Sequence, residues 1–251
     1  MVWNGVHFNL HTIIPWPIML IWALVYFGLL AWAWGIGREK PFSRFKTIDF
    51  VYIALIAALM IVYNFFISPI IPKVSAITTY FYYPTIGEAF LLMLAAALVG
   101  KPGSAGLTMF IYTLLSDIIH YGFGGEPFWF VYEVLGYAAL IDLWLIYRNQ
   151  HYLTPFTRVR KGTVTVEEAI EETEELTARS TWLLLIDGAI GGLTVFIAFP
   201  LFYRGFFATF VEGYTYTVSF WAITTVTALI FGAVIGLILA PLVYYIKKVV
   251  T

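Results

Sequence analysis

Asp117, His120, Glu126 and Glu133 lie within one stretch, Gly100–Asp142, in which two apolar runs meet at the turn GFGGE. Four ionisable groups around one turn of a hydrophobic hairpin are costly to keep, so they mark a candidate functional site. Trp129, Glu133 and Tyr137 are four apart and would share a helix face, with Tyr132 beside them. Asp117 and His120 are three apart, and Tyr112, Ser116 and His120 form a parallel stripe. Glu88 and Asn64, from earlier segments, reach the same depth. Carboxylates beside Trp and Tyr suit a flat, cationic or amine-bearing heterocycle. The acid would supply charge and hydrogen-bond acceptance, and each ring face about 0.5–2 kcal/mol of cation–π attraction. Blander readings stay open for some: Asp117 and His120 as an internally satisfied pair, and Trp129 as an interfacial anchor. Glu88 and Glu133 resist them, because neither has a Lys or Arg in its layer.

Other chemistries find less support. No HExxH, GxSxG or Walker-type loop is present, so no enzymatic activity is expected. A metal set of His120, Asp117 and Glu133 is conceivable, with His7 and His11 able to add ligands if their segment is helical, but nothing fixes a coordination geometry; no metal or cofactor is expected. Cysteine is absent, which removes disulfides and thiolate chemistry. The formal charge of −1 offers nucleic acid no basic patch.

The elements that must position these residues are membrane helices. The chain of 251 residues is 61% hydrophobic and 12% charged, with a mean hydropathy of +0.85, too little polar surface for a soluble domain. An all-α polytopic helix bundle of about seven spans is expected. The spans cover about 16–35, 48–67, 79–99, 104–121, 127–147, 181–203 and 218–246, with Pro102 able to sit in the first turn of the fourth. Threaded with the N-terminus outside, they place twelve of the fourteen Lys and Arg on the cytoplasmic side, leaving Lys73 and Arg204 outside. That bias predicts a multi-pass cell-membrane protein whose C-terminus is cytoplasmic and whose 122–126 turn faces out. At 1.5 Å per residue, Glu133 falls about 9 Å and Glu88 about 12 Å below the outer ends of their helices. Asp142 and Asp187 form a second layer about 8–10 Å from the cytoplasmic ends. A relay would spread acids through the whole thickness, whereas a capture pocket concentrates them at one face, as the richer outer cluster does. The polar segment 148–179 carries VTVEEAIEETEELTARS, in which Thr165 and Glu168 fit a capping box on a short surface helix.

Small residues recur at four-residue spacing: Ala54 and Ala58, Gly188 and Gly192, and Gly232, Gly236 and Ala240, a pattern that lets helices approach closely. Three segments together, IDFVYIALIAALMIVYNFF (48–66), GEAFLLMLAAALVGKPGSAGLTMFIYTLLSDIIHYGFGG (87–125) and FWFVYEVLGYAALIDLWLIYR (128–148), resemble the substrate-binding S component of energy-coupling factor (ECF) transporters. Within that superfamily the chain looks most like the thiamin/hydroxymethylpyrimidine group. The resemblance implies capture of a water-soluble vitamin or precursor near the outer face, followed by toppling against a transmembrane T component driven by two cytoplasmic ATPases. It further implies that Ala54 and Ala58 contact the T component and that Glu133, Trp129 and Tyr137 hold the ligand. Two departures stand out: residues 1–46 add a helix before the six-helix body of 47–251, and the 148–179 segment is long. Two rival expectations remain. One is a stand-alone proton- or cation-coupled carrier using Asp142 and Asp187; the other is a structural subunit of a larger membrane complex.

Overall fold

The computed structural model of the protein describes residues 11–35, 44–72, 78, 82–121, 128–148, 152–153 and 166–250. Of these, 120, 121, 128 and 166–180 are described by backbone alone. The described residues form an all-α membrane helix bundle of seven helices without a strand. They are α1 (Trp16–Ala33), α2 (Thr47–Val62, extended to Ile70), α3 (Thr85–Val99), α4 (Ser104–Ser116, extended to Tyr121), α5 (Phe128–Tyr147), α6 (Val166–Phe210) and α7 (Val218–Val250). Five apolar stretches are long enough to cross a membrane: Trp16–Ala33, Thr47–Ile70, Trp129–Tyr147, Thr181–Phe210 and Val218–Val250. α3 and α4 are shorter.

α3 is the axis of the bundle. Its side chains from Leu91 to Ala97 are all buried, and α2, α4, α6 and α7 pack around it. The run Ala95-Ala96-Ala97 explains why: three small residues let neighbours approach from every side. α6 and α7 meet through Gly188 and Gly192 on one side and Gly232, Gly236 and Ala240 on the other. A Cβ on Gly192 would collide with the Gly232 carbonyl, and one on Gly236 with the Gly188 carbonyl. These two small-residue stripes therefore serve packing within the chain. Ala54 and Ala58 differ: both are exposed on α2, on a face shared with Val51, Leu55 and Val62.

Four helices contain π turns: α2 at Tyr63–Ile67, α4 at Asp117–Tyr121, α5 at Val134–Ala138 and α6 at Ala198–Phe207. In α6 the cause is visible in the sequence. Pro200 has no N–H and its ring crowds the preceding turn, so the helix widens instead of stopping. α6 accordingly runs past Tyr203, where the hydropathy pattern ends it, to Phe210.

Three further expectations are corrected. The acidic 166–180 stretch is no separate surface helix but the opening of α6, which runs unbroken from Val166 to Ile197. No Gly or Pro interrupts it before Gly188, and acids in opening turns suit the helix dipole; Thr165 lies outside the described residues. α3 begins at Thr85, after a turn at Tyr83-Pro84, because the residue before proline is driven out of helical geometry. Pro102 lies in the turn before α4, whose N-cap is Gly103 at φ 93°, a left-handed conformation natural to glycine.

The extra helix α1 exposes most of its surface but is pinned to the α4–α5 hairpin by three hydrogen bonds. Trp22 Nε1 donates to the Leu135 carbonyl (3.2 Å), Tyr26 Oη to Asp142 Oδ2 (2.9 Å) and Trp34 Nε1 to the Pro102 carbonyl (2.8 Å).

Candidate functional site

The bundle has two polar ends, and they are built differently. At one end, every buried acid is satisfied. Asp142 in α5 is fully buried and aims its carboxylate at the N-terminus of α4. It accepts from the backbone N–H groups of Gly103 (2.9 Å), Ala105 (3.1 Å) and Gly106 (2.8 Å), and from Tyr26. A helix start leaves its first N–H groups without partners and carries partial positive charge, so a carboxylate from another helix serves as its cap. Gly106 is required there: a Cβ would overlap the Tyr26 hydroxyl. Asp187 in α6 accepts from Arg148 Nε (2.8 Å), Arg148 Nη2 (3.1 Å), Trp144 Nε1 (2.7 Å) and the Leu153 backbone (2.8 Å). Asp49 pairs with Lys101 and caps its own helix through the Lys46 N–H (2.5 Å). Asp142 and Asp187 are thus two structural anchors at one end of the bundle, each with its own partners.

The other end holds two glutamates that make no ion pair among the described residues. Glu88 and Glu133 are both half-buried and close enough to act on each other electrostatically, and Asp117, buried in the π turn of α4, acts on Glu133 as well. Among the described residues neither glutamate has a Lys or Arg partner; Thr113 Oγ1 donates to Glu133 and Asn64 to Glu88. Asn64 also donates to Tyr112 Oη (2.8 Å). Glu88 lies in the first turn of α3, not two turns inside it, because the helix starts later than its hydropathy indicates. The free N–H groups of that turn favour a carboxylate there. Tyr63 covers the same turn, its hydroxyl on the Pro84 carbonyl (2.6 Å) and its ring against Gly87, where a Cβ would overlap it.

Aromatic rings wall the acids. Tyr132 and Tyr137 join through their hydroxyls (3.2 Å) with ring centroids 5.7 Å apart. Five residues separate them, the spacing that the π turn at Val134–Ala138 brings into register. Trp129 packs on Tyr132 (5.8 Å), Tyr203 (6.1 Å) and Phe207 (4.8 Å), and Tyr132 stacks on Phe207 (5.5 Å). Both Tyr132 and Tyr137 act electrostatically on Glu88 and Glu133, which places rings and acids in one cluster. Glu88, Glu133, Asp117, Asn64, Trp129, Tyr132 and Tyr137 are therefore assembled together. The His120 side chain and Glu126 lie outside the described residues.

Sequence reasoning missed Thr113, Tyr63, Tyr203, Phe207 and Arg204. A signal existed for the last: a lone Arg near the end of an apolar helix, flanked by Tyr203, Phe206 and Phe207. Arg204 is half-buried, with its guanidinium 4.7 Å from the Phe199 ring, 5.0 Å from Phe220 and 6.0 Å from Tyr216. Burial raises the Tyr216 phenol above its ordinary range, and the Arg204 charge draws it partly back. Tyr203 donates to Glu212 (2.8 Å) and stacks on Phe199 (4.9 Å), so an unbroken aromatic strip joins Arg204 to Trp129.

Comparison of the chain with protein-family models, with curated proteins and with solved structures found no match.

Proposed function

We propose that this chain is the membrane substrate-capture subunit of an ECF-type transporter, taking up a water-soluble vitamin or precursor, with thiamin or hydroxymethylpyrimidine as the first ligand to test. One observation carries the reading: Glu88 and Glu133 stand together at one end of the bundle, without a Lys or Arg partner among the described residues, against the rings of Tyr132 and Tyr137. Two acids kept half-buried without a countercharge are stabilised when a cationic ligand enters, and the rings supply its stacking surface. With the N-terminus outside the cell, this end faces the medium and the Asp142 end faces the cytoplasm.

The exposed Ala54–Ala58 face of α2 supplies a surface on which a transmembrane T component can pack closely, and ATP hydrolysis falls to two cytoplasmic ATPase partners. The satisfied bonding of Asp142 and Asp187 weighs against a stand-alone carrier that would load and unload protons there. The test is mass spectrometry of small molecules that co-purify with the chain, followed by titration of thiamin and hydroxymethylpyrimidine. Micromolar or tighter binding of either supports the reading. Failure of both, with no vitamin-class compound co-purifying, refutes it.

A further inference from the structure

Arg204 poses a question that the acid cluster does not answer. Its guanidinium has five N–H donors, yet among the described residues it pairs with no carboxylate; outside the helix backbone, its carbonyl accepts from Thr209 Oγ1 (3.1 Å). The rings of Phe199, Phe220 and Tyr216 surround the planar group within cation–π range. That geometry differs from a solvated surface arginine, whose stem is mobile. It also differs from a structural ion pair, such as Arg148 makes with Asp187 in this same chain.

A small cavity lies beside Arg204. Arg204 lines it together with Thr78, Tyr82, Thr85, Pro200 and Thr224, and its volume is about 20 Å³. That is room for one or two waters, or one group of carboxylate size. Of the hydroxyls in the lining, Thr224 Oγ1 is committed to the Phe220 and Trp221 carbonyls, whereas the Thr85 side chain makes no hydrogen bond among the described residues. A guanidinium beside a hydroxyl donor in a small cavity is an arrangement that suits a small planar anion.

The cavity also adjoins the acid cluster. Tyr132 and Tyr203 act electrostatically on Arg204, and Tyr132 does so on Glu88 and Glu133. We propose that Arg204, with Thr85 and the cavity they line, is an anion subsite for one carboxylate-sized group, set across the aromatic strip from Glu88 and Glu133. The anion is either an arm of the captured solute, which is then amphoteric, or a free small anion bound beside it. Its place in transport rests on the capture reading above; its existence as an anion site does not.

The test uses the full chain in lipid nanodiscs. Sodium formate is titrated while sodium gluconate, too large for the cavity, holds the ionic strength constant. Wild type should show a saturable rise in unfolding temperature. Arg204→Met should raise the apparent Kd for formate by at least about tenfold, the equivalent of one charge-assisted hydrogen bond. Should Arg204→Met fail to fold, Thr85→Val supplies the comparison and should weaken formate by about threefold or more. No saturable rise in wild type, or an unchanged Kd in whichever variant folds, overturns the subsite. A parallel titration compares hydroxymethylpyrimidine with the analogue bearing a carboxylate in place of the hydroxymethyl group. Tighter binding of the acid, in competition with formate, assigns the subsite to a solute arm; formate binding alongside either compound assigns it to a free anion. Formate binding with no binding of thiamin or either pyrimidine leaves the subsite standing and removes the vitamin reading. The reverse result removes the subsite alone.

Discussion

Replacing Asp142 by Asn separates a structural anchor from a proton carrier. The carboxylate accepts four hydrogen bonds, from three backbone N–H groups at the start of α4 and from Tyr26 in α1. An amide of the same shape keeps one acceptor oxygen and turns an NH₂ toward the Gly106 N–H, so donor faces donor there, while the Tyr26 hydroxyl can rotate to accept from it. One charge-assisted bond is lost and the others lose the carboxylate's charge, a charge-assisted bond being worth about 1.5–3 kcal/mol by soluble-protein experience. Polar contacts between membrane helices average nearer 0.6 kcal/mol, with a maximum of about 1.7. Weighing the two scales, Asp142→Asn should destabilise the bundle by about 2–4 kcal/mol. Tyr26→Phe, which removes one of the four bonds and leaves the cap in place, should cost about 0.6–1.7 kcal/mol. The assay is reversible unfolding in mixed micelles, paired with a spin-label distance between α1 and α4. The chain has no cysteine, so labels introduced at the exposed Phe27 and Phe110 report without background. The label distance should broaden in Asp142→Asn and stay near its wild-type value in Tyr26→Phe. An Asp142→Asn variant within about 0.5 kcal/mol of wild type, with unchanged label distances, would refute the anchor role and reopen the relay.

Gly192→Ala should cost about 1–3 kcal/mol, because its Cβ meets the Gly232 carbonyl and Gly236 backbone across a fixed helix pair. Gly28→Ala in α1 has nothing within 4 Å and should be neutral or slightly stabilising; equal thermal shifts in both variants would show that α6 and α7 do not meet as described. Ala54→Leu with Ala58→Leu should leave unfolding temperature and ligand affinity unchanged and abolish association with a T component in a pull-down, whereas unaltered association would move that interface elsewhere. Vesicles holding this chain alone should bind solute without accumulating it; accumulation driven by a proton gradient would favour the carrier.

The seven-helix body was legible because each helix is an apolar run punctuated by Pro, Gly or charge. Its finer geometry was not. The π turns depend on how an extra residue is absorbed against neighbouring helices, and only Pro200 announces one locally. Their effect on the site is direct: the widened turn at Val134–Ala138 pairs Tyr132 with Tyr137. That Glu88 and Glu133 belong to one end of the bundle was legible, although Glu88 sits nearer its helix start than the hydropathy indicates, whereas Thr113 as the partner of Glu133 was not, since a threonine in an apolar helix bonds its own backbone equally well. Asp142 illustrates a different limit. The Lys101-Pro102-Gly103 turn that opens α4 was readable, but its cap lies 39 residues away from Gly103 on another helix. Arg204 was passed over as one of two charges on the sparse side, although burying a guanidinium among rings needs a reason of its own.

The capture reading meets its most direct test in titrating thiamin and hydroxymethylpyrimidine into wild type and Glu133→Gln, followed by the fluorescence of Trp129 and its neighbours. Gln keeps the shape of Glu133 and can still accept from Thr113, so the unfolding temperature should hold. Removing the charge should weaken a cationic ligand by more than about tenfold, the equivalent of one charge-assisted contact. Micromolar binding in wild type that collapses in Glu133→Gln is the predicted result. Binding that is identical in the two proteins, or absent from both, would contradict it.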